Sequence, residues 1–177
     1  MKSKRFHHYT FIDLETGGLD DDSEILEIAI VRETRKTGEL FLWSSLVKPL
    51  HPEKIQIKAL EINGITPEDW ERAPTLEELS TKILGLLQWG PVIGHNVQFD
   101  LNKLKHNFSK MGKVFPRPFP VLCTQQMAWL WYDEMQSCSL NSCREYLGIG
   151  KLGAHRAEKD VMDCRRVFWD IMGLMEK

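Results

Sequence analysis

The 177-residue sequence lacks the features that mark secreted, membrane-spanning or disulfide-stabilised proteins. Its four cysteines form no C-x-x-C pair, which argues against a zinc knuckle or a thiol redox motif and favours free structural thiols. No segment approaches the roughly 20 apolar residues that a membrane helix requires, and no apolar stretch of a signal peptide follows the basic start. We therefore expect a cytoplasmic protein with no membrane partner.

The sequence also lacks an excess of basic residues, because its formal net charge is −2. Proteins that coat long nucleic acids gain affinity by neutralising many phosphates, so this charge balance argues against such a role. It leaves room for an enzyme that contacts a nucleic acid through bound metal ions. The length and the hydrophobic fraction of 42% are typical of one globular unit, and we expect residues 1–177 to form a single domain.

Strand and helix signals follow each other along the chain in an order typical of an α/β protein. Strands are predicted at residues 9–14, 25–32, 40–47, 91–94 and 121–123. Helices are predicted to start after Thr66 and Thr75, to span residues 97–111, and to start at about residues 125, 140 and 157. We predict an α/β fold with a central mixed five-stranded sheet and helices on both faces.

Local spacing alone selects no catalytic residue, since the patterns D-x-E and H-x4-D each occur three times. The context of Asp13 and Glu15 is distinctive, because both lie at the end of a predicted buried strand. Residues two apart on a strand point to the same face, so the two carboxylates should face one side of the sheet. Acidic groups in such a position need cations or basic partners.

Two later segments supply further candidates. Asp100 lies where a short strand passes into a helix, so it is either a carboxylate at a ligand-binding strand end or a charge that satisfies the helix start. His155 and Asp160 are five residues apart, about 140° out of line on one helix. They can converge only if His155 precedes the helix. A lone histidine there would more often be a surface or structural residue.

Three segments together resemble the exonuclease motifs of the DEDD superfamily, in its histidine branch. They are residues 11–19 (FIDLETGGL), 95–100 (HNVQFD) and 155–160 (HRAEKD). This branch includes the proofreading epsilon subunits of bacterial DNA polymerase III, ribonuclease T and oligoribonuclease. Residues 63–66 (NGIT) are similar to the family's H-G-I-T loop, and residues 139–149 to the helix before the last motif.

The resemblance implies a ribonuclease-H-like fold and 3′-to-5′ exonuclease activity on single-stranded DNA or RNA, with release of nucleoside 5′-monophosphates. It also implies a site for two divalent cations, Mg²⁺ or Mn²⁺, which prefer oxygen ligands. Asp13 would bridge both cations, Glu15 and Asp160 would complete the site on the nucleophile side, and Asp100 would help to hold the other. His155 would be the general base, since imidazole is largely neutral near pH 8, about 1.5 units above its reference pKa.

The resemblance further implies which residues contact the terminal nucleotide. These residues are Thr16, Gly17, Ile62, Asn63, Asn96 and Phe99. Asn63 stands where the family often has a histidine, so this contact departs from the family pattern. Ile62 and Phe99 can equally well be interpreted as core residues that do not contact a nucleotide.

Several alternatives stay open from the sequence. The fold could be an inactive nucleic-acid-binding module, or a phosphodiesterase restricted to very short oligonucleotides. No motif addresses the 2′-hydroxyl, so DNA and RNA are both open as substrates. The chain ends soon after the last motif, which favours a free-standing enzyme, with a homodimer or a separately encoded polymerase partner as further options.

Overall fold

A computed structural model describes residues 6–116, 120–133, 135–150 and 155–174. Within these residues, five strands form one mixed sheet in the order β3-β2-β1-β4-β5. The strands are β1 His8–Thr16, β2 Ile25–Thr34, β3 Glu39–Leu46, β4 Val92–Gly94 and β5 Val121–Cys123. Strand β2 runs antiparallel to both β1 and β3, whereas β4 is parallel to β1 and to β5. The predicted mixed five-stranded sheet is confirmed.

The described helices are α1 Ile57–Asn63, α2 Pro67–Glu71, α3 Leu76–Leu87, α4 Val97–Lys110, α5 Thr124–Trp131, α6 Leu140–Tyr146 and α7 Ala157–Leu174. A short 3-10 helix, Pro52–Lys54, precedes α1. Helix α3 begins with the predicted capping box, in which Thr75 accepts a hydrogen bond from the Glu78 N–H and Glu78 accepts one from the Thr75 N–H. The predicted starts of α2, α6 and α7 are also confirmed.

Helices cover both faces of the sheet, as alternation along the strands requires. Ile12 and Leu14 of β1 point into one apolar cluster with residues of α3 and α4. Phe11 of β1 and Val31 of β2 point into the opposite cluster, which contains the apolar side of α7. Because side chains alternate along a strand, Asp13 and Glu15 lie on the same face as Phe11, beneath the start of α7.

Two buried glutamates of β2 attach α7 to the sheet. Glu27 accepts two hydrogen bonds from the Arg156 guanidinium, at 3.0 and 2.9 Å, and one from the Ala157 N–H at 3.0 Å. Glu33, near the other end of β2, accepts two from the Arg165 guanidinium, each 2.9 Å long. The first attachment fixes the beginning of α7 over the end of the central strand.

The loop that follows β1 is held by polar side chains of α4. Lys103 is fully buried, and its ammonium group donates to the carbonyl oxygens of Gly18 and Asp20. Asn107 donates to the carbonyl oxygen of Ser23 at 3.1 Å. These bonds fix the segment directly after Glu15, which is where the resemblance predicts contacts with a nucleotide.

All four cysteines are free, and three of them are buried, so the prediction of unpaired structural thiols is confirmed. Among the helices of the described ranges, none combines the length and apolar character needed to cross a membrane.

Candidate active site

Three carboxylates meet on the α7 face of the sheet. Asp13 and Glu15 of β1 and Asp160 in the first turn of α7 each place an oxygen within 4.8 Å of the others. Strand alternation turns the first two side chains to one face, and the attachment of α7 to β2 brings the third above them. The structure thus brings together three of the four acids predicted from the sequence.

Asp100, the fourth predicted acid, lies beside this cluster in the first turn of α4. It is buried, and its Oδ1 accepts a hydrogen bond of 3.1 Å from the Leu14 N–H of β1. Its carboxylate also accepts from its own backbone N–H. Asp100 therefore satisfies backbone donors, and its charge raises the pKa of Asp13 and of Glu15.

Burial and mutual repulsion make these acids unusually weak. Burial raises the pKa of Glu15 to about 8, with a further contribution from the charge of Asp160. Burial likewise raises the pKa of Asp100 to about 8. The pKa of Asp13 is well above its ordinary value because of burial and then the charge of Asp100. Such a cluster favours the binding of protons or of cations.

A buried arginine completes the surroundings of Asp160. Arg144 of α6 donates from Nη2 to Asp160 Oδ1 at 2.5 Å and from Nε to Asp163 Oδ2 at 2.7 Å. Burial raises the pKa of Asp160, whereas the charge of Arg144 opposes this change. The sequence interpretation missed Arg144, since no local pattern distinguishes it from a solvated helix residue.

His155 lies in the turn before α7, as convergence with Asp160 requires. Its backbone has a φ of 64°, in the left-handed region, and its N–H donates to Asp160 Oδ1 at 3.2 Å. The preceding residues 151–154 lie outside the described residues. The structure therefore places a partly exposed histidine immediately next to the acidic cluster.

His95, the histidine of the second motif, has a different environment. Its Nδ1 lies 2.9 Å from the Thr124 hydroxyl and its Nε2 lies 2.9 Å from the Cys138 carbonyl oxygen. Burial lowers its pKa to about 4. With both ring nitrogens engaged, His95 joins the end of β4 to α5 and to the segment before α6.

Thr16 and Gly17 lie where β1 passes into the loop held by α4. The Thr16 hydroxyl donates to the Gly18 carbonyl oxygen at 2.8 Å. The Gly17 N–H donates to the Glu24 carbonyl oxygen at 2.8 Å, and a Cβ at Gly17 would approach Ile55 to 3.0 Å. A side chain at Gly17 would therefore push apart the strand end and the segment before α1.

The other predicted substrate contacts have distinct environments. Ile62 on α1 is 51% exposed, so its alternative interpretation as a core residue is wrong. Asn63 is 4% exposed, and its Oδ1 accepts from the Ile65 N–H at 3.0 Å. Asn96 is exposed and has a φ of 64°, and the partly exposed Phe99 lies 4.8 Å from the Lys103 ammonium group. The Asn63 side chain therefore shapes a turn.

The donors in the cluster suit hard cations. Asp13, Glu15 and Asp160 offer only carboxylate oxygens, the ligands that Mg²⁺ and Mn²⁺ prefer, and the metal-ligand group found among the described residues includes no sulfur or imidazole. The raised pKa values have the same implication, because bound cations would stabilise the charged carboxylates. A mixed sheet of this topology with acids gathered beside its central strand defines a ribonuclease-H-like nuclease.

The comparison with family sequence models places the chain more narrowly. The RNase_T family, described as "Exonuclease", matches residues 10–168, and the chain belongs to this family of DEDDh-type exonucleases. Members of this family need divalent metal ions. The predicted family, the ribonuclease-H-like fold and the assignment to nucleases are confirmed.

Two curated relatives are similar over most of the chain. The "DNA polymerase III PolC-type" protein of Thermotoga petrophila is 33% identical over 177 residues, which cover 97% of this chain and 12% of that protein. The "Protein NEN4" of Arabidopsis thaliana is 29% identical, over 86% of this chain and 61% of that protein. The chain thus spans about an eighth of the PolC-type relative.

Solved structures share the fold at low sequence identity. The nuclease domain of 3'hExo, described as a DEDDh family member bound to rAMP, has a TM-score of 0.81 at 15% identity, covering 96% of this chain and 94% of that one. The cell-death related nuclease 4 has a TM-score of 0.80 at 15% identity, covering 96% and 64%.

Proposed function

We propose that this chain is a metal-dependent 3′-to-5′ exonuclease that shortens single-stranded nucleic acid and releases nucleoside 5′-monophosphates. The observation that carries the proposal is the convergence of Asp13, Glu15 and Asp160, whose ligand oxygens lie within 4.8 Å of one another. Three acids from two distant parts of the chain repel each other, and a fold that gathers them is best explained by a cationic ligand.

The four acids would hold two divalent cations, Mg²⁺ or Mn²⁺. Asp13 would contact both, Glu15 and Asp160 would complete one site, and Asp100 would contribute to the other. When bound, such a pair of cations stabilises the attacking and leaving oxygens of a displacement at phosphorus and lowers the pKa of a bound water. The carboxylates themselves would fix the positions of the cations beside the end of β1.

His155 would act as the general base that accepts a proton from the attacking water. Its position supports this role, because its backbone is bonded to Asp160 while its side chain belongs to a partly exposed turn. The left-handed backbone at His155 keeps the residue out of α7, so the imidazole need not follow the helical direction of Asp160.

The terminal nucleotide would lie between the loop after β1 and the start of α4. Thr16 and Gly17 would contact it from the first side, and Asn96 and Phe99 from the second. Ile62, exposed on α1, would pack on the base. We no longer assign Asn63 a direct oxygen contact with the nucleotide, since that oxygen is bonded to Ile65, and propose that it holds Ile62 in place.

A cleavage assay tests the proposal. The purified protein is incubated with 5′-labelled single-stranded DNA and RNA oligomers of several lengths, with Mg²⁺, Mn²⁺ or EDTA. A ladder that shortens from the 3′ end only with metal is expected, and Asp13→Ala should abolish it in a protein that still folds. Binding without cleavage would favour an inactive binding module, and digestion of dimers and trimers alone would favour a short-oligonucleotide phosphodiesterase.

The relatives suggest which kind of protein the chain works with. Because a PolC-type DNA polymerase III protein is 33% identical to it, we propose that residues 1–177 act as one exonuclease domain on 3′ ends made by a polymerase. Co-purification of the chain with a polymerase would support this arrangement. The mass of the isolated protein in solution distinguishes a free-standing monomer from a homodimer.

A further inference from the structure

Arg144 is among the most deeply buried side chains of the described residues, although it carries a full charge. It is 1% exposed. A buried guanidinium is tolerated when its N–H groups are bonded to acceptors with suitable geometry. Here Nε donates to Asp163 at 2.7 Å, Nη1 to Asn141 at 2.7 Å and Nη2 to Asp160 at 2.5 Å. Each of the three nitrogens therefore has an acceptor.

The acceptor on Asp160 is the same oxygen that His155 uses. Oδ1 of Asp160 receives Nη2 of Arg144 and the backbone N–H of His155, which approach it from α6 and from the turn before α7. Two donors on one oxygen fix the plane of the carboxylate. Within the part of the chain that the structure describes, Oδ2 is then the oxygen available to a cation between Asp13 and Glu15.

Asp163 holds Arg144 in this position. It lies on the same side of α7 as Asp160, three residues further on, and its carboxylate also accepts from Lys159. Asp163 thus accepts hydrogen bonds from Lys159 and from Nε of Arg144. With Nε held in this way, Nη2 of the same guanidinium is directed at Asp160. The arrangement joins α6 to the first turn of α7 through charge-assisted bonds.

We propose that Arg144 is a positioning residue of the metal site: its planar fork, held by Asp163, orients Asp160 so that one oxygen faces Asp13 and Glu15. The inference rests on the proposed function, because it treats Asp160 as a metal ligand. Residues that orient metal ligands usually change metal affinity by about 10-fold to 100-fold when they are removed. The guanidinium should therefore increase cation affinity, although it is itself a cation.

A matched control exists on the same helix. Arg165 is bonded to Glu33 through two hydrogen bonds of 2.9 Å, and this pair attaches α7 to β2 near the far end of the strand. It resembles the Arg144 pair in chemistry. Removing it should affect stability without affecting the orientation of Asp160.

The experiment compares two double variants of the full chain, Arg144→Met/Asp163→Leu and Arg165→Met/Glu33→Gln. Replacing Asp163 together with Arg144, and Glu33 together with Arg165, avoids leaving these two buried carboxylates without their guanidinium partners, while Asp160 keeps its hydrogen bond from the His155 N–H. Binding of Mn²⁺ is measured by electron paramagnetic resonance, which detects the signal of the unbound ion. We expect the dissociation constant to rise by about 10-fold to 100-fold in the first variant and to stay within about threefold of the wild type in the second. Arg144→Lys should resemble the first variant, since a single ammonium group cannot reproduce the fork.

The outcomes separate this inference from the proposed function. If the wild-type protein binds Mn²⁺ and Asp13→Asn does not, the metal site stands. Unchanged or tighter binding by Arg144→Met/Asp163→Leu then overturns the positioning role, because tighter binding is what removal of a competing cation would produce. If the wild type binds no Mn²⁺, or Asp13→Asn binds it equally well, the proposed function fails and the inference fails with it.

Discussion

The backbone N–H of Leu14 donates a 3.1 Å hydrogen bond to Asp100 Oδ1, although the two residues are 86 positions apart in the chain. This bond connects the central strand to the start of α4 and fixes the carboxylate next to Asp13. It also means that Asp100 has two separable properties, an oxygen that accepts a hydrogen bond and a negative charge.

Asp100→Asn should separate these two properties. The amide oxygen can still accept from Leu14, so the free energy of unfolding in urea should stay within about 1 kcal/mol of the wild type. Metal-dependent cleavage should fall by roughly a thousandfold, since the charge that holds a cation is lost. Asp100→Ala should lose activity and, in addition, about 1 to 3 kcal/mol of stability. Normal cleavage by Asp100→Asn would show that Asp100 is no ligand.

The stability of the metal-free protein should decrease as pH rises from about 5 to about 8. Glu15 has an ordinary pKa of 4.5 that burial raises to about 8. A group whose pKa is higher in the folded state contributes stability that is full below its unfolded pKa and is lost as pH rises through its folded pKa. The melting temperature in EDTA should therefore fall between about pH 5 and 8 by more than that of Glu15→Gln, and the difference should level off above pH 8.

The same linkage predicts that divalent cations restore the stability that the metal-free protein loses at high pH. Since the carboxylates must lose protons to bind metal, the increase in melting temperature caused by Mg²⁺ should grow from about pH 6 to 9. Equal increases at all pH values would contradict the raised pKa values of Glu15 and Asp100.

His95 should produce the opposite pH dependence at lower pH. Burial lowers its pKa from 6.5 to about 4, so the unfolded chain binds a proton that the folded protein excludes. This contribution to stability is present above pH 6.5 and is lost as pH falls, by about 1 kcal/mol per pH unit. Urea unfolding of His95→Gln from pH 7 to 4.5 should show a shallower loss than the wild type. Identical slopes would mean that His95 takes up a proton as readily when folded.

His155→Asn tests the general base with little disturbance of the backbone. Asparagine tolerates the left-handed conformation seen at this position better than most residues do. We expect kcat to fall by about 100-fold to 10,000-fold while Mn²⁺ affinity stays near that of the wild type. A large loss of Mn²⁺ affinity would instead assign His155 a role in metal binding.

Glu27→Ala should loosen the start of α7. The variant removes three hydrogen bonds, two from Arg156 and one from the Ala157 N–H. We expect a loss of about 2 to 4 kcal/mol in the free energy of unfolding, and a smaller loss for Glu27→Gln, which keeps one acceptor. If both variants unfold like the wild type, α7 is held by its apolar contacts alone.

Local chemistry explains why much of the fold was predictable. Alternation along β1 placed Asp13 and Glu15 on one face, and the 3.6-residue period of α7 showed that His155 had to precede the helix. The capping box at Thr75 fixed the start of α3. Each of these inferences concerns residues that are neighbours in sequence, where geometry constrains the outcome.

The contacts around Asp160 could not be predicted in the same way. The Arg144–Asp163 pair joins two helices, and the short segment of α6 gives no period that would show which side chain is buried. Glu27 did carry a signal, since it interrupts the apolar run I-L-E-I-A-I, but its partner on α7 lies 129 residues away. Long-range ion pairs depend on tertiary packing, which a single sequence does not specify.

The order of the acids along the chain has a consequence for synthesis. Asp13 leaves the ribosome early, Asp100 follows, and Asp160 arrives with the helix that closes the cluster. A nascent polypeptide that ends before α7 lacks Asp160 and therefore cannot assemble the group of three acids.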